Sequence, residues 1–235
     1  MNQTSFAHLE TRLKRKRVMF ILIMAILLGS NITWVDQTHG EEKPSLAILP
    51  FVVEKGEDPG RSAICPLCKG VYRSGEVLFG SQNALTRLLY QKMETMGRFK
   101  ILPLEKVEGA PPLQDIKTFK EQPIPLSIQV GKELSAHFLF VGFIFRFEER
   151  IGSSVGVERP ASVGLDVHLF RLRDSMEVWK GKIDETQKPL SENLFKIGSF
   201  FRRKAHWLTA EELASVGIGE MLKKLPGIKE LEEMK

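Results

Sequence analysis

Cys65-Pro66-Leu67-Cys68 holds both cysteines of the chain, and the two-residue spacing brings the sulfurs near enough for a small disulfide ring or for two bonds to one metal ion. In an exported chain, oxidation to a loop staple is the plain reading of such a pair. Zinc is the candidate cofactor of a second reading. It asks for about four ligands, so His137, His168, His206 or a second subunit must complete a site begun by Cys65 and Cys68. A thiol oxidoreductase, with Cys65 attacking, needs a thiolate stabilised at a helix start. The following Lys69-Gly70-Val71-Tyr72-Arg73-Ser74-Gly75 is a poor helix. Cys-x-x-Cys-Lys also lacks the histidine of the haem attachment motif. In the disulfide and zinc readings alike, neither thiol is free.

Other constellations carry less chemistry. Gly152-Ser153-Ser154-Val155-Gly156 matches the Gly-x-Ser-x-Gly nucleophile elbow in form, with Asp166 or Asp184 and then His206 in the right order. That elbow needs a strand before it and a helix after it, whereas Glu158-Arg159-Pro160 and another strand follow here, so a Gly/Ser-rich hairpin connection explains the residues. Asp166 and His168 are two apart and share one strand face. On the polar side of a hairpin such a pair is expected to be solvated. No phosphate loop and no His-Glu-x-x-His occurs, and no catalytic residue is assigned.

The elements that must position these groups read as follows. Ser45 to Val53 is apolar on both alternating faces and suits a strand buried on both sides, with Pro50 marking a sheet edge or bulge. Residues 54 to 80 form a long Cys-containing loop rich in Gly and charge. Ser81 opens a helix to about Met96, whose Leu85, Leu88, Leu89 and Met93 make one stripe, and Gly97 ends it. Arg98 to Leu102 is a short strand, and Leu126 to Ala136 a helix. His137 to Phe147 sets Leu139, Val141, Phe143 and Phe145 on one face and Phe138, Phe140 and Ile144 on the other, as the sheet centre requires. Val163 to Leu169 and Met176 to Ile183 pair as a hairpin.

Two helices close the chain. In the first, about Leu190 to Arg203, Leu190, Leu194, Ile197 and Phe201 share a face that Phe195 and Phe200 widen, and Arg202-Arg203-Lys204 sit where the helix dipole favours cations. It is either a core helix with a dipole-matched end or, with Trp207 beside it, a docking surface for an envelope partner or anionic lipid. The second, Thr209 to Leu225, opens with a Thr209/Glu212 capping box. The order of elements defines one α/β domain with a mixed sheet of about five strands flanked by helices.

A leader precedes that domain. Lys14-Arg15-Lys16-Arg17 runs directly into the apolar stretch Val18 to Gly29, the pattern of a secretory signal. Residues 1 to 40 read as a signal peptide cut after Gly40, or as an uncleaved membrane anchor if Ile32, Trp34 and Val35 extend the span. Either way the domain from residue 41 to 235 is exported, to the periplasm or cell envelope. Cys65 is the first cysteine, so no lipid acceptor follows the apolar run. The leader holds five Lys/Arg against Glu10 and Asp36, so only +2 of the formal charge of +5 belongs to the remainder. The charge therefore argues little for DNA or RNA, and no nucleic-acid partner is expected. Hydrophobic residues at 43% and charged residues at 27% exclude a disordered chain.

Ala47-Ile48-Leu49-Pro50-Phe51, Arg98-Phe99-Lys100-Ile101-Leu102, Leu134-Ser135-Ala136-His137-Phe138-Leu139-Phe140-Val141-Gly142 and Val178-Trp179-Lys180-Gly181 together resemble a family of bacterial envelope domains. It includes the curli secretion channel subunit, the amino-terminal domain of the Tol-Pal translocation protein and lipoprotein activators of penicillin-binding proteins. The resemblance spans roughly residues 45 to 185. It implies a non-catalytic assembly or accessory module facing the periplasm. The expected partners are envelope proteins, with a second copy of the chain (a homo-oligomer) as a further candidate. Cys-Pro-x-Cys followed by Lys69-Gly70 separately resembles one knuckle of a zinc ribbon, for which no second cysteine pair exists.

Overall fold

A computed structural model describes residues 42–54, 56, 61–111, 121–187 and 207–234. The leader and the helix read at 190 to 203 lie outside them, and with them His206, Phe195, Phe200, Phe201, Arg202, Arg203 and Lys204.

The sheet is built around β6 (Phe138–Glu148), whose residues are apolar on both faces and buried along nearly its whole length. β1 (Ser45–Ile48) and β2 (Val52–Val53) are two parts of one interrupted strand, and both run parallel to β6. Pro50 lies in the interruption, having no N–H to give to a ladder. There the buried Thr86 hydroxyl accepts the Phe51 N–H at 3.0 Å. β5 (Lys100–Ile101) pairs in parallel with the start of β1. On the other side of β6, β9 (Ser162–Arg171) runs antiparallel to it, and β10 (Met176–Thr186) antiparallel to β9. The order β10-β9-β6-β1-β5, with β2 also on β6, is the mixed sheet read from the sequence.

The two faces carry separate cores. Leu46, Ile48, Phe138, Phe140, Ile144, Val163, Leu165, Val167 and Leu169 face one side. There α1 (Ser81–Met96) covers them with Leu85, Leu89 and Met93, and α4 (Ala210–Leu222) with Leu213, Ile218 and Leu222. Thr209 caps α4 in the expected box with Glu212. Pro226-Gly227 does not end the structure, since α5 (Ile228–Glu233) follows and buries Leu231. Ser81 is not the cap of α1. Gly80 holds that position in a left-handed conformation (φ 82°), and the Ser81 hydroxyl donates to Leu78 O at 2.6 Å.

The opposite face holds Leu139, Val141, Phe143, Phe145 and Phe170. α2 (Leu104–Glu108) brings Val107 to it, and α3 (Pro123–Glu133), starting three residues earlier than its periodicity indicates, brings Ile128 and Val130. The rest of this face is covered from an unexpected quarter. Inside the stretch read as a loop, β3 (Ser62–Ile64) and β4 (Val71–Arg73) pair antiparallel and turn through the two cysteines. Strands of three residues do not stand alone. This hairpin is held down by Ala63, Cys65 and Tyr72, all buried, and Tyr72 stacks on Phe145 with ring centroids 4.0 Å apart.

Arg146 ties the hairpin to the sheet. Its guanidinium, almost wholly buried, donates to Asp184 Oδ1 at 2.7 Å, to the Arg73 carbonyl at 2.6 Å and to Val163 O, and its Nε donates to the Ser162 hydroxyl at 2.7 Å. Gly164 leaves the room for it on β9, since a Cβ there would lie 3.3 Å from Arg146 Nη1. The remaining pair, β7 (Ile151–Gly152) and β8 (Val157–Arg159), forms a small antiparallel ribbon around residues 153–156. No helix among the described residues is long and apolar enough to cross a membrane.

Candidate metal centre

The hairpin turn shapes the first half of the site. Pro66 and Leu67 carry the chain over, Lys69 takes a left-handed conformation (φ 58°), and the chain returns so that Cys65 N–H donates to Gly70 O at 2.9 Å and Lys69 N–H to Cys65 O at 3.1 Å. Cys68 N–H then points at Cys65 Sγ, 3.5 Å away. A backbone donor aimed at sulfur favours its thiolate. The two cysteines are not joined to each other.

The second half comes from β9. Asp166 and His168 share the face that the hairpin covers, and Cys65 Sγ lies 3.4 Å from His168 Nε2 while Cys68 Sγ lies 3.9 Å from Asp166 Oδ2. His168 Nε2 and Asp166 Oδ2 are 3.3 Å apart. Four donor atoms from two separate elements thus lie within 4.8 Å of one another. Cys65 and His168 are fully buried, Asp166 is 1% exposed, and Cys68 sits at the rim. Asp166 Oδ1 is buried with no hydrogen-bond partner.

Burial alone would keep His168 neutral, but hydrogen bonds to Asp166, Cys65 and Glu177 outweigh it and raise the imidazole to about 11. Burial pushes the Cys65 thiol up; His168 opposes this and Asp166 adds to it. Burial likewise raises the Tyr72 hydroxyl, with the Asp166 charge next in effect. Asp166 and Glu177 thus favour the charged form of the imidazole that lies between them. Glu177 completes the arrangement from β10, its Oε1 accepting from His168 Nδ1 at 2.7 Å. That bond leaves Nε2 as the nitrogen turned toward the sulfurs.

The solvated reading of Asp166 and His168 is corrected by this burial. Alternation along β9 marks the face as polar, yet the face is roofed by a hairpin from about 100 residues earlier in the chain. Of the three histidines offered for the site, His168 enters it. His137 serves elsewhere, its Nδ1 lying 2.7 Å from Ser45 Oγ and 3.1 Å from Ser45 N, from which it accepts. Residues 152–156 form a turn between two strands, with Ser153 Oγ bonded to the N–H of Val155 and Gly156, so no nucleophile elbow exists there. Asp184 is occupied by Arg146. Of the docking-surface residues, Trp207 is described: it is half-buried, its N–H donates to Ser154 O at 2.8 Å, and its carbonyl accepts from Arg150. The contribution of Glu177 has no signal in the sequence except its place one turn beyond the β9 strand.

No protein-family model and no curated protein matches the chain in sequence. Among solved structures, the chain is similar to the PelC dodecamer from Paraburkholderia phytofirmans, at TM-score 0.41 and 10% identity, covering 82% of this chain and 89% of that one. It is also similar to the LpoB C-terminal domain from Salmonella enterica, at TM-score 0.39 and 13% identity over 64% of this chain and 89% of that one. A third likeness is to the lipoprotein GNA1162 from Neisseria meningitidis, at TM-score 0.37 and 13% identity over 78% and 99%. At TM-scores of 0.41 and below these likenesses carry no role over to this chain.

Proposed function

We propose that this chain is a non-catalytic, exported accessory domain of the cell envelope that acts through protein contacts. The observation that carries the reading is the closure of its reactive groups. Cys65, Asp166 and His168 lie sealed beneath the hairpin, and their donor atoms face one another rather than a space where substrate could sit. A cavity of about 360 Å³ elsewhere is lined by His137, Arg171 and Glu232 among others. Two of its polar heads are already engaged, His137 by Ser45 and Arg171 by Asp174 and the carbonyls of Leu231, Glu232 and Met234.

The competing thiol-enzyme reading requires Cys65 to attack. A sulfur with no exposure and a raised pKa is a poor nucleophile. Export rests on the basic block and apolar run of the leader. The contact surfaces open to a partner, or to a second copy of the chain, include the exposed cross-strand pair Ile64 and Val71 on the outside of the hairpin.

The test is to assay the full chain and its Cys68→Ser variant both for turnover of a small disulfide substrate and for a stoichiometric complex recovered from envelope extract. Complex formation without turnover in either protein is expected. Turnover by the wild type that Cys68→Ser abolishes would overturn the reading.

A further inference from the structure

We infer that Cys65, Cys68, Asp166 and His168 bind one zinc ion, and that Glu177 is the positioning residue that orients His168 toward it. This goes beyond the accessory reading and stands or falls separately from it.

The donor set comes first. Two thiolates, one imidazole and one carboxylate suit a borderline-soft ion that prefers four ligands without regard to d-electron geometry. A tetrahedron with Zn–S of about 2.3 Å, Zn–N of about 2.05 Å and Zn–O of about 2.0 Å places sulfur about 3.6 Å from nitrogen and about 3.5 Å from oxygen, and nitrogen about 3.3 Å from oxygen. The corresponding distances in the fold are 3.4 Å (Cys65 to His168), 3.9 Å (Cys68 to Asp166) and 3.3 Å (His168 to Asp166). These three pairs therefore already stand within about 0.4 Å of the separations that the ion requires, and all four donors lie within 4.8 Å of one another. A disulfide does not explain why Asp166 and His168 converge on the same two sulfurs.

Three further observations point the same way. Asp166 carries a buried, unpartnered carboxylate oxygen, a costly state that a cation beside that carboxylate relieves. Glu177 accepts from His168 Nδ1, the outer hydrogen bond that metal-bound histidines make, which leaves Nε2 free to ligate. Cys68 N–H is directed at Cys65 Sγ, as suits a sulfur held as thiolate. Four protein donors leave no open position, so the ion is structural. It joins the hairpin turn to β9. On binding, each thiol and the imidazolium gives up its proton to solvent as its lone pair goes to the metal, and no electron is transferred.

The experiment uses the full chain purified without chelator. One zinc per chain is expected, and replacement by cobalt should give the intense visible bands of a tetrahedral site together with sulfur-to-cobalt charge transfer. His168→Gln and Asp166→Asn should each lose the metal. Glu177→Gln, a change at an exposed residue that should fold with an unchanged circular dichroism spectrum, should bind zinc roughly 10–100-fold more weakly. A chain that carries no zinc, takes up none from zinc sulfate and has a mass two hydrogens short would overturn the inference. So would zinc affinity unchanged in all three variants.

Discussion

Cys65 Sγ and His168 Nε2 stand 3.4 Å apart although 103 residues separate them in the chain. Cys65 follows β3, which pairs with β4, whereas His168 lies on β9, which pairs with β6 and β10, so the contact is made by laying one element face-down on another. The hairpin brings an apolar underside of Ala63, Cys65 and Tyr72 onto Phe143 and Phe145, and the polar groups trapped beneath it are those that one metal ion can satisfy together.

Metal removal should loosen the hairpin first. Chelation should abolish the hydrogen-exchange protection of the amides of Cys65, Lys69 and Ser74, which bond across the turn and to Arg61, while β6 and β9 stay protected. With free zinc at a thousandfold excess over Kd the ion contributes about 4 kcal/mol, which is a melting-temperature difference of roughly 8–16 °C for a chain of this size. Differential scanning calorimetry with and without chelator measures it.

The two forms should respond to pH in opposite senses. Without metal, the His168 pKa of about 11 lies above its unfolded value. Its contribution is fully present below pH about 6.5, and it is lost as pH rises toward 11 because the folded chain keeps a proton that the unfolded chain releases. Zinc competes with that proton and with the two thiol protons, so its stabilisation grows as pH rises. Denaturant midpoints from pH 6 to 9 should fall for the metal-free chain on this account, and the gap to the zinc-loaded chain should widen. Calorimetric titration of zinc in buffers of different ionisation enthalpy should report the release of about three protons.

Arg146→Ala should destabilise the domain by about 3–5 kcal/mol, because it removes a buried cation that satisfies Asp184, Ser162 and two carbonyls at once. Since one of those carbonyls belongs to Arg73, the loss should also reach the hairpin. Urea unfolding together with zinc affinity measures both effects. Gly142→Ala should cost about 1–3 kcal/mol through collision with the Phe51 ring, with zinc affinity unchanged.

Local pattern makes some of this fold legible from sequence. β6 can be read because both of its faces are apolar, and α4 because Thr209 and Glu212 cap it by side-chain chemistry three residues apart. The cysteine pair is legible as half of a site by its spacing. The other half is hidden, because Asp166 and His168 look solvated on a strand whose neighbours Val163, Leu165, Val167 and Leu169 point the other way. Only a tertiary contact, the hairpin folding back over β9, buries them. The hairpin itself escapes notice because three-residue strands with one inward side chain each leave little periodicity.

Processing of the leader is a separate expectation. Thr38 and Gly40 offer the small side chains that a signal peptidase accepts, so intact-mass analysis of the envelope fraction should find a chain starting at Glu41. A mass starting at Met1 would replace cleavage with an uncleaved membrane anchor.

X-ray absorption at the zinc edge tests the central claim most directly, since it counts the atoms around the ion. For the zinc-loaded full chain we predict two sulfurs at about 2.3 Å and two nitrogen or oxygen neighbours at about 2.0 Å. A shell of four sulfurs, which would need cysteines from two chains, or a shell with no sulfur would contradict the account.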